Sequence, residues 1–171
     1  MKRYLQIIWN RNMVFRDSLQ FVAQSLQTRF DSLANCGRPN QPTKFSMLER
    51  VIVKHHPAAP WKRILRKGVF PYENVKTFAT LDEQQLTPRA AFSSTLSGET
   101  CSEDDYGNAQ SVSREFGCCT LHEYMQLYFT TDVCLLTDVF ANYRATCNEA
   151  YELDLAYFVS APQLAWNAIF K

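Results

Sequence analysis

Apolar residues recur at three- and four-residue intervals along residues 120–147, at Leu121, Tyr124, Tyr128, Leu135, Val139, Tyr143 and Cys147. That spacing predicts one long helix with a buried face. Thr120 and Glu123 give it a start: the hydroxyl accepts from the first unpaired backbone N–H groups and the carboxylate reaches back. A second helical pattern runs from a cap at Asp17 or Ser18 through Leu19, Val22, Leu26, Phe30 and Leu33. Two β-prone runs precede it, residues 4–9 and 13–16, and the intervening Asn10-Arg11-Asn12 predicts a hairpin turn. Ser102 followed by Glu103, Asp104 and Asp105 predicts another helix start, with acids where the helix dipole favours them and a stop at Gly117. Residues 43–100 show little periodicity; only Leu81–Pro88 suggests a short helical turn. After a connector at 153–162, residues 163–171 begin an apolar-faced helix. Its Trp166 and Phe170 lack a following segment to pack on, so the chain is expected to be a cut piece of something longer.

One position breaks the long stripe. Asp132 falls four residues after Tyr128, on the face where a core helix carries an apolar side chain. A carboxylate buried there needs a hydrogen bond, a counter-charge or a metal ion, because desolvating it alone is too costly. Spacing alone leaves two readings: a solvated charge at the edge of the stripe, or a ligand-binding carboxylate with a tyrosine one turn away.

Composition narrows the class. Of 171 residues, 46% are hydrophobic and 13% aromatic, which places the chain among globular proteins of about one domain. The net charge of +1 neither demands nor excludes nucleic acid, so the distribution of charge matters more than its sum. Six cysteines show no CxxC pair or zinc-finger spacing and read as reduced thiols, with Cys134 and Cys147 acting as small apolar residues of the long helix. No secretory leader and no apolar run near membrane-spanning length is read, so an intracellular protein is expected, nuclear or mitochondrial in a eukaryote, with no membrane partner. A basic cluster, Lys54, His55, His56, Lys62, Arg63, Arg66 and Lys67, surrounds Trp61 and suits backbone phosphates.

Taken in order, several stretches resemble the protein-primed type B DNA polymerases of linear plasmids, phages and polymerase-bearing mobile elements. Phe15-Arg-Asp-Ser-Leu-Gln-Phe-Val22 is similar to the family's Ser/Thr-Leu-x-x-hydrophobic motif, which follows a strand and contacts single-stranded DNA. Lys67-Gly-Val-Phe70 is similar to its Lys-x-x-hydrophobic motif, with Tyr72 at the aromatic position just after. Tyr128-Phe-Thr-Thr-Asp132 resembles the third exonuclease motif, Tyr-x-x-x-Asp. The strings at 70–72, 115–118 and 164–166 are similar to the eukaryotic mobile-element branch.

The resemblance implies an α/β fold: a partial ribonuclease H-like 3′–5′ exonuclease domain over residues 1–150, helix-rich with a small incomplete sheet, and the start of a polymerase domain over 151–171. It implies DNA, specifically a single-stranded 3′ end, and a terminal priming protein as partners, and Mg2+ or Mn2+ as cofactor of the parent enzyme. Asp132 would be a metal ligand, Tyr128 would orient the attacking water, and Lys67 would stabilise charge on the phosphate. Ser18, Leu19 and Tyr72 would hold the frayed end, with Lys62, Arg63 and Arg66 on backbone phosphates. The sequence also departs from the pattern. It has no Asp-x-Glu, and the polymerase metal motif is absent as well. One carboxylate does not hold two divalent ions, so these residues alone are expected to give little or no cleavage. A mobile-element-derived single-strand-binding protein and a non-functional gene remnant are the alternatives.

Overall fold

The computed structural model describes residues 6–9, 13–21, 28, 32–33, 45–66, 68–95, 98 and 100–171. They form a helix-rich mixed α/β chain with one two-stranded sheet. The chain divides into two compact units, one made of residues 1–44 and 137–171, the other of residues 45–136.

In the first unit, strands β1 (Gln6–Trp9) and β2 (Met13–Arg16) pair antiparallel with Trp9 opposite Met13, the predicted hairpin. Ile7 and Phe15 on one face and Ile8 and Val14 on the other are all exposed. The helix expected from Asp17 or Ser18 to Leu33 lies mostly outside the described residues. Within it, Ser18–Gln20 is one turn of 3-10 helix, and Thr28, Ser32 and Leu33 are helical. The unit's core joins Phe21 to Cys147, Leu155 and Leu164, with Phe140 set edge-on to Phe21. Residues 151–171 thus share a core with residues of the expected exonuclease portion.

The second unit begins with a helix that the sequence reading missed, α1 (Ser46–His55). Phe45, Leu48 and Ile52 bury one side of it while Arg50 and Lys54 stay exposed. Helix α2 (Glu103–Glu115) starts as expected: the Ser102 hydroxyl accepts from Asp105 N–H at 3.0 Å. It ends in a Schellman motif, with Gly117 at φ +69°, Gly117 N–H on the Arg114 carbonyl and Cys118 N–H on that of Ser113. The turn expected over Leu81–Pro88 is displaced. One 3-10 segment, Phe78–Asp82, overlaps only its first two residues, and another, Arg89–Phe92, starts just after Pro88 at the N-cap position. Leu81 and Phe92 anchor these turns in the core.

Helix α3 (Leu121–Tyr151) carries the long stripe and continues from the second unit into the first at Thr137. Its capping box forms as predicted: Glu123 N–H donates to Thr120 Oγ1 at 3.2 Å and the Glu123 carboxylate accepts from Thr120 N–H at 3.3 Å. Leu121 N–H, another unpaired group of the first turn, donates to the Glu83 carbonyl at 2.9 Å. Leu121, Tyr124, Leu127, Tyr128 and Leu135 are buried, as the periodicity requires. In the first unit Val139 and Cys147 continue the stripe, and helix α4 (Ala161–Ile169) follows, with Ser160 at its N-cap position and with Trp166 and Phe170 exposed, their rings tilted at 55° to each other. Among the described residues no helix is long and apolar enough to cross a membrane.

Candidate nucleic-acid interface

The turn of α3 from Tyr128 to Asp132 meets the extended segment 68–72, and both lie in the second unit. Tyr124 Oη donates to the Val69 carbonyl at 2.8 Å, pinning that segment along the helix. Gly68 lies so close that a Cβ there would sit 3.1 Å from Tyr128 Cδ2. Phe70 is buried and stacks on Tyr128, with ring centroids 5.5 Å apart and planes at 28°. Tyr72 returns to the same ring: its hydroxyl donates to Tyr128 Oη at 3.0 Å, while 58% of Tyr72 remains exposed. Phe129 closes the aromatic group, 5.6 Å from Tyr128 and 6.5 Å from Tyr72.

Asp132 is half-buried, one turn beyond Tyr128. Burial pushes the Tyr128 phenol well above its ordinary value, and the Asp132 carboxylate acts in the same direction. Tyr128 therefore keeps its proton at neutral pH and sits in a chain of polar groups from Tyr72 to Asp132. A small cavity of about 20 Å3 opens beneath, lined in part by Arg66, Asn108, Tyr128, Thr131 and Asp132. That exceeds the ~10–15 Å3 a water needs. The Thr131 hydroxyl, buried and without a hydrogen-bond partner among the described groups, makes water there favourable.

The structure thus gathers Tyr72, Tyr128 and Asp132. Lys67 lies outside the described residues. Ser18 and Leu19 belong to the other unit, where Ser18 is half-buried in the 3-10 turn after β2. The basic cluster is divided. Arg66 bonds Asp104 at 3.1 Å and also Asp105, and Arg63 pairs with Glu115 at 3.5 Å, so α2 already takes both guanidinium groups. Lys62 is exposed and has no ion pair among the described residues. Gly68, Phe129 and Thr131 were not singled out from sequence; the glycine inside a bulky basic and aromatic stretch was the available signal, since such a glycine often marks close backbone approach.

The donor set bears on the implied metal. Asp132 is the one carboxylate at this site among the described residues, and the cationic Arg66 lines the same cavity. No three His, Cys, Asp or Glu side chains converge among the described residues. Two clamped divalent ions need several oxygen ligands, and these residues do not fit them. What the site offers is an exposed tyrosine face, a protonated phenol and a carboxylate. Comparison of the chain with protein-family models, curated proteins and solved structures returns no match.

Proposed function

We propose that this chain binds the single-stranded 3′ end of DNA, as part of a ribonuclease H-like exonuclease domain similar to that of protein-primed type B DNA polymerases. The observation that carries this reading is the meeting of two stretches 56 residues apart, at the 3.0 Å contact between Tyr72 and Tyr128. The resemblance pairs those same stretches, and hydrophobic periodicity gave no reason for them to touch. Tyr72 offers its exposed ring to a base, and stacking of that kind contributes ~1–3 kcal/mol. Tyr128 donates or accepts as a neutral phenol, Asp132 accepts from the terminal hydroxyl, and Lys62 neutralises a phosphate. With one carboxylate at the site, this chain on its own binds rather than cleaves.

Fluorescence anisotropy of a 3′-labelled oligodeoxynucleotide tests this over a salt series with added Mg2+. Saturable binding that weakens with salt, weakens about tenfold or more in Tyr72→Ala, and leaves the strand uncut is expected. Absence of binding at low salt, or binding indifferent to Tyr72, would overturn the reading.

A further inference from the structure

We propose that a groove between α1 and α3 is a second subsite for the same single strand, taking unpaired bases next to the terminus held at Tyr72 and Tyr128. It rests on the single-strand reading above and adds a path for the strand that the resemblance does not supply. The groove measures about 840 Å3 and lies wholly within the second unit. Its floor is apolar, with Ile52, Phe116 and Leu127 all buried. Its walls differ in kind. His55, His56 and Phe129 present three π-surfaces, and Gln126 and Thr130 add an amide and a hydroxyl. His56 is held edge-on by Phe116, with ring centroids 5.4 Å apart.

Three observations select the occupant. First, Phe129 belongs both to this groove and to the Tyr72–Tyr128 aromatic group, so the two sites are continuous through one 43%-exposed ring. Second, a cation stands next to the groove, within reach of an anionic backbone: Lys54 is exposed in the last turn of α1, beside the groove residue His55. The one acid lining the groove, Glu123, has its carboxylate committed to the N–H groups of Cys119 and Thr120. Third, π-faces interleaved with an amide and a hydroxyl match how unpaired bases are held, by stacking and by hydrogen bonds to their edges. A groove for an amphipathic helix would instead favour continuous aliphatic walls.

The test compares oligothymidylates of about four and about ten nucleotides, spanning the usual single-strand site sizes. Both are titrated against the whole chain, Phe129→Leu, the double variant His55→Asn/His56→Asn, and Tyr72→Ala. The expected result is about a tenfold gain in affinity on lengthening the strand, lost in Phe129→Leu and in the double histidine variant, while short-strand binding depends on Tyr72. Phe129 and His55 are exposed and the histidine pair offers a second, independent route, so a folding defect in one variant leaves the question answerable. If the short strand fails to bind wild type, the reading of the previous subsection falls and the groove with it. If the short strand binds through Tyr72 but length brings no gain, or a gain that survives both groove variants, the groove alone is overturned. Protection of His55 and His56 from diethyl pyrocarbonate by an amphipathic peptide, and not by the longer strand, would also overturn it by assigning the groove to a protein partner.

Discussion

Replacing Gly68 by alanine probes the contact that joins the two halves of the candidate site. The new methyl would lie 3.1 Å from Tyr128 Cδ2 and 3.3 Å from Cε2, and carbon atoms prefer about 3.5–4.0 Å. Some atom must retreat by a few tenths of an ångström. The Tyr128 ring is poorly placed to do so, because Phe70 stacks on it, Tyr72 holds its hydroxyl at 3.0 Å and Phe129 abuts its edge. Overpacking of this kind costs about 1–3 kcal/mol. Against it stands the narrowing of the unfolded ensemble, which favours alanine by about 0.4–1 kcal/mol. Gly68 is not among the glycines at positive φ, so alanine brings no backbone strain of its own. The net is a destabilisation of about 0.5–2 kcal/mol, or a Tm lowered by about 1–8 °C for a chain of this size. Thermal melts followed in the tyrosine near-ultraviolet band measure it. A Tyr128→Leu background, where the rigid ring is gone, should shrink the effect, and the double-mutant cycle gives the coupling directly. A Gly68→Ala protein melting at or above wild type would show that the ring gives way freely and that the contact does not hold the site in register.

Ser102→Ala should destabilise by about 1 kcal/mol, since the hydroxyl caps α2 at Asp105 N–H, while Ser102→Thr should restore most of it in the same melts. Alkali should unfold the chain. Burial raises the phenols of Tyr124 and Tyr128, so their contribution is intact below the unfolded tyrosine pKa of about 10 and lost as pH rises past it. Urea midpoints across that range should fall, and less steeply in Tyr128→Phe. Lys62→Gln should reduce the salt slope of strand binding by about 0.7, one phosphate's share on a single strand. Arg66→Gln, which breaks the pairs with Asp104 and Asp105, should chiefly lower Tm, and a larger slope change from Arg66 than from Lys62 would contradict the division of the basic cluster.

Elements governed by local chemistry were legible in the sequence. The capping box at Thr120 and Glu123, the Ser102 cap, the Gly117 stop and the 6–16 hairpin each depend on residues within a few positions of one another, and each formed. Helix α1 escaped notice because its charged residues read as a basic run, although Phe45, Leu48 and Ile52 already carried helical spacing. The 78–92 region was misplaced because Pro88 opens a turn rather than closing one. In the site, Tyr128 and Asp132 were visible as a break in the stripe. Tyr72 was named only through the resemblance, and the close approach of Gly68 was not visible at all, since both arrive through an irregular segment whose position is set by one hydrogen bond to Val69 and by ring packing. The long helix carries a second aspartate, Asp138, which is only 2% exposed, whereas Asp132 is half-buried. The buried positions Thr131, Leu135 and Asp138 keep one helical spacing, and it brings Asp138 rather than Asp132 onto the covered stripe.

That contrast bears on which carboxylate is available to a ligand. A carboxylate at 2% exposure satisfies the fold's demand for compensation internally and offers little to a strand in solution. Asp132 occupies the intermediate condition: near enough to Tyr128 to act on its proton, yet partly exposed as a residue. Its neighbours divide the same way. Phe70 and Tyr124 are buried and hold the segment in place, while Tyr72 and Phe129 leave ring faces in solvent beside the polar chain. Exposed aromatic faces bring no gain to the isolated fold, and a half-buried carboxylate beneath them costs it desolvation. The two departures coincide at one place, which is what the proposed binding site requires.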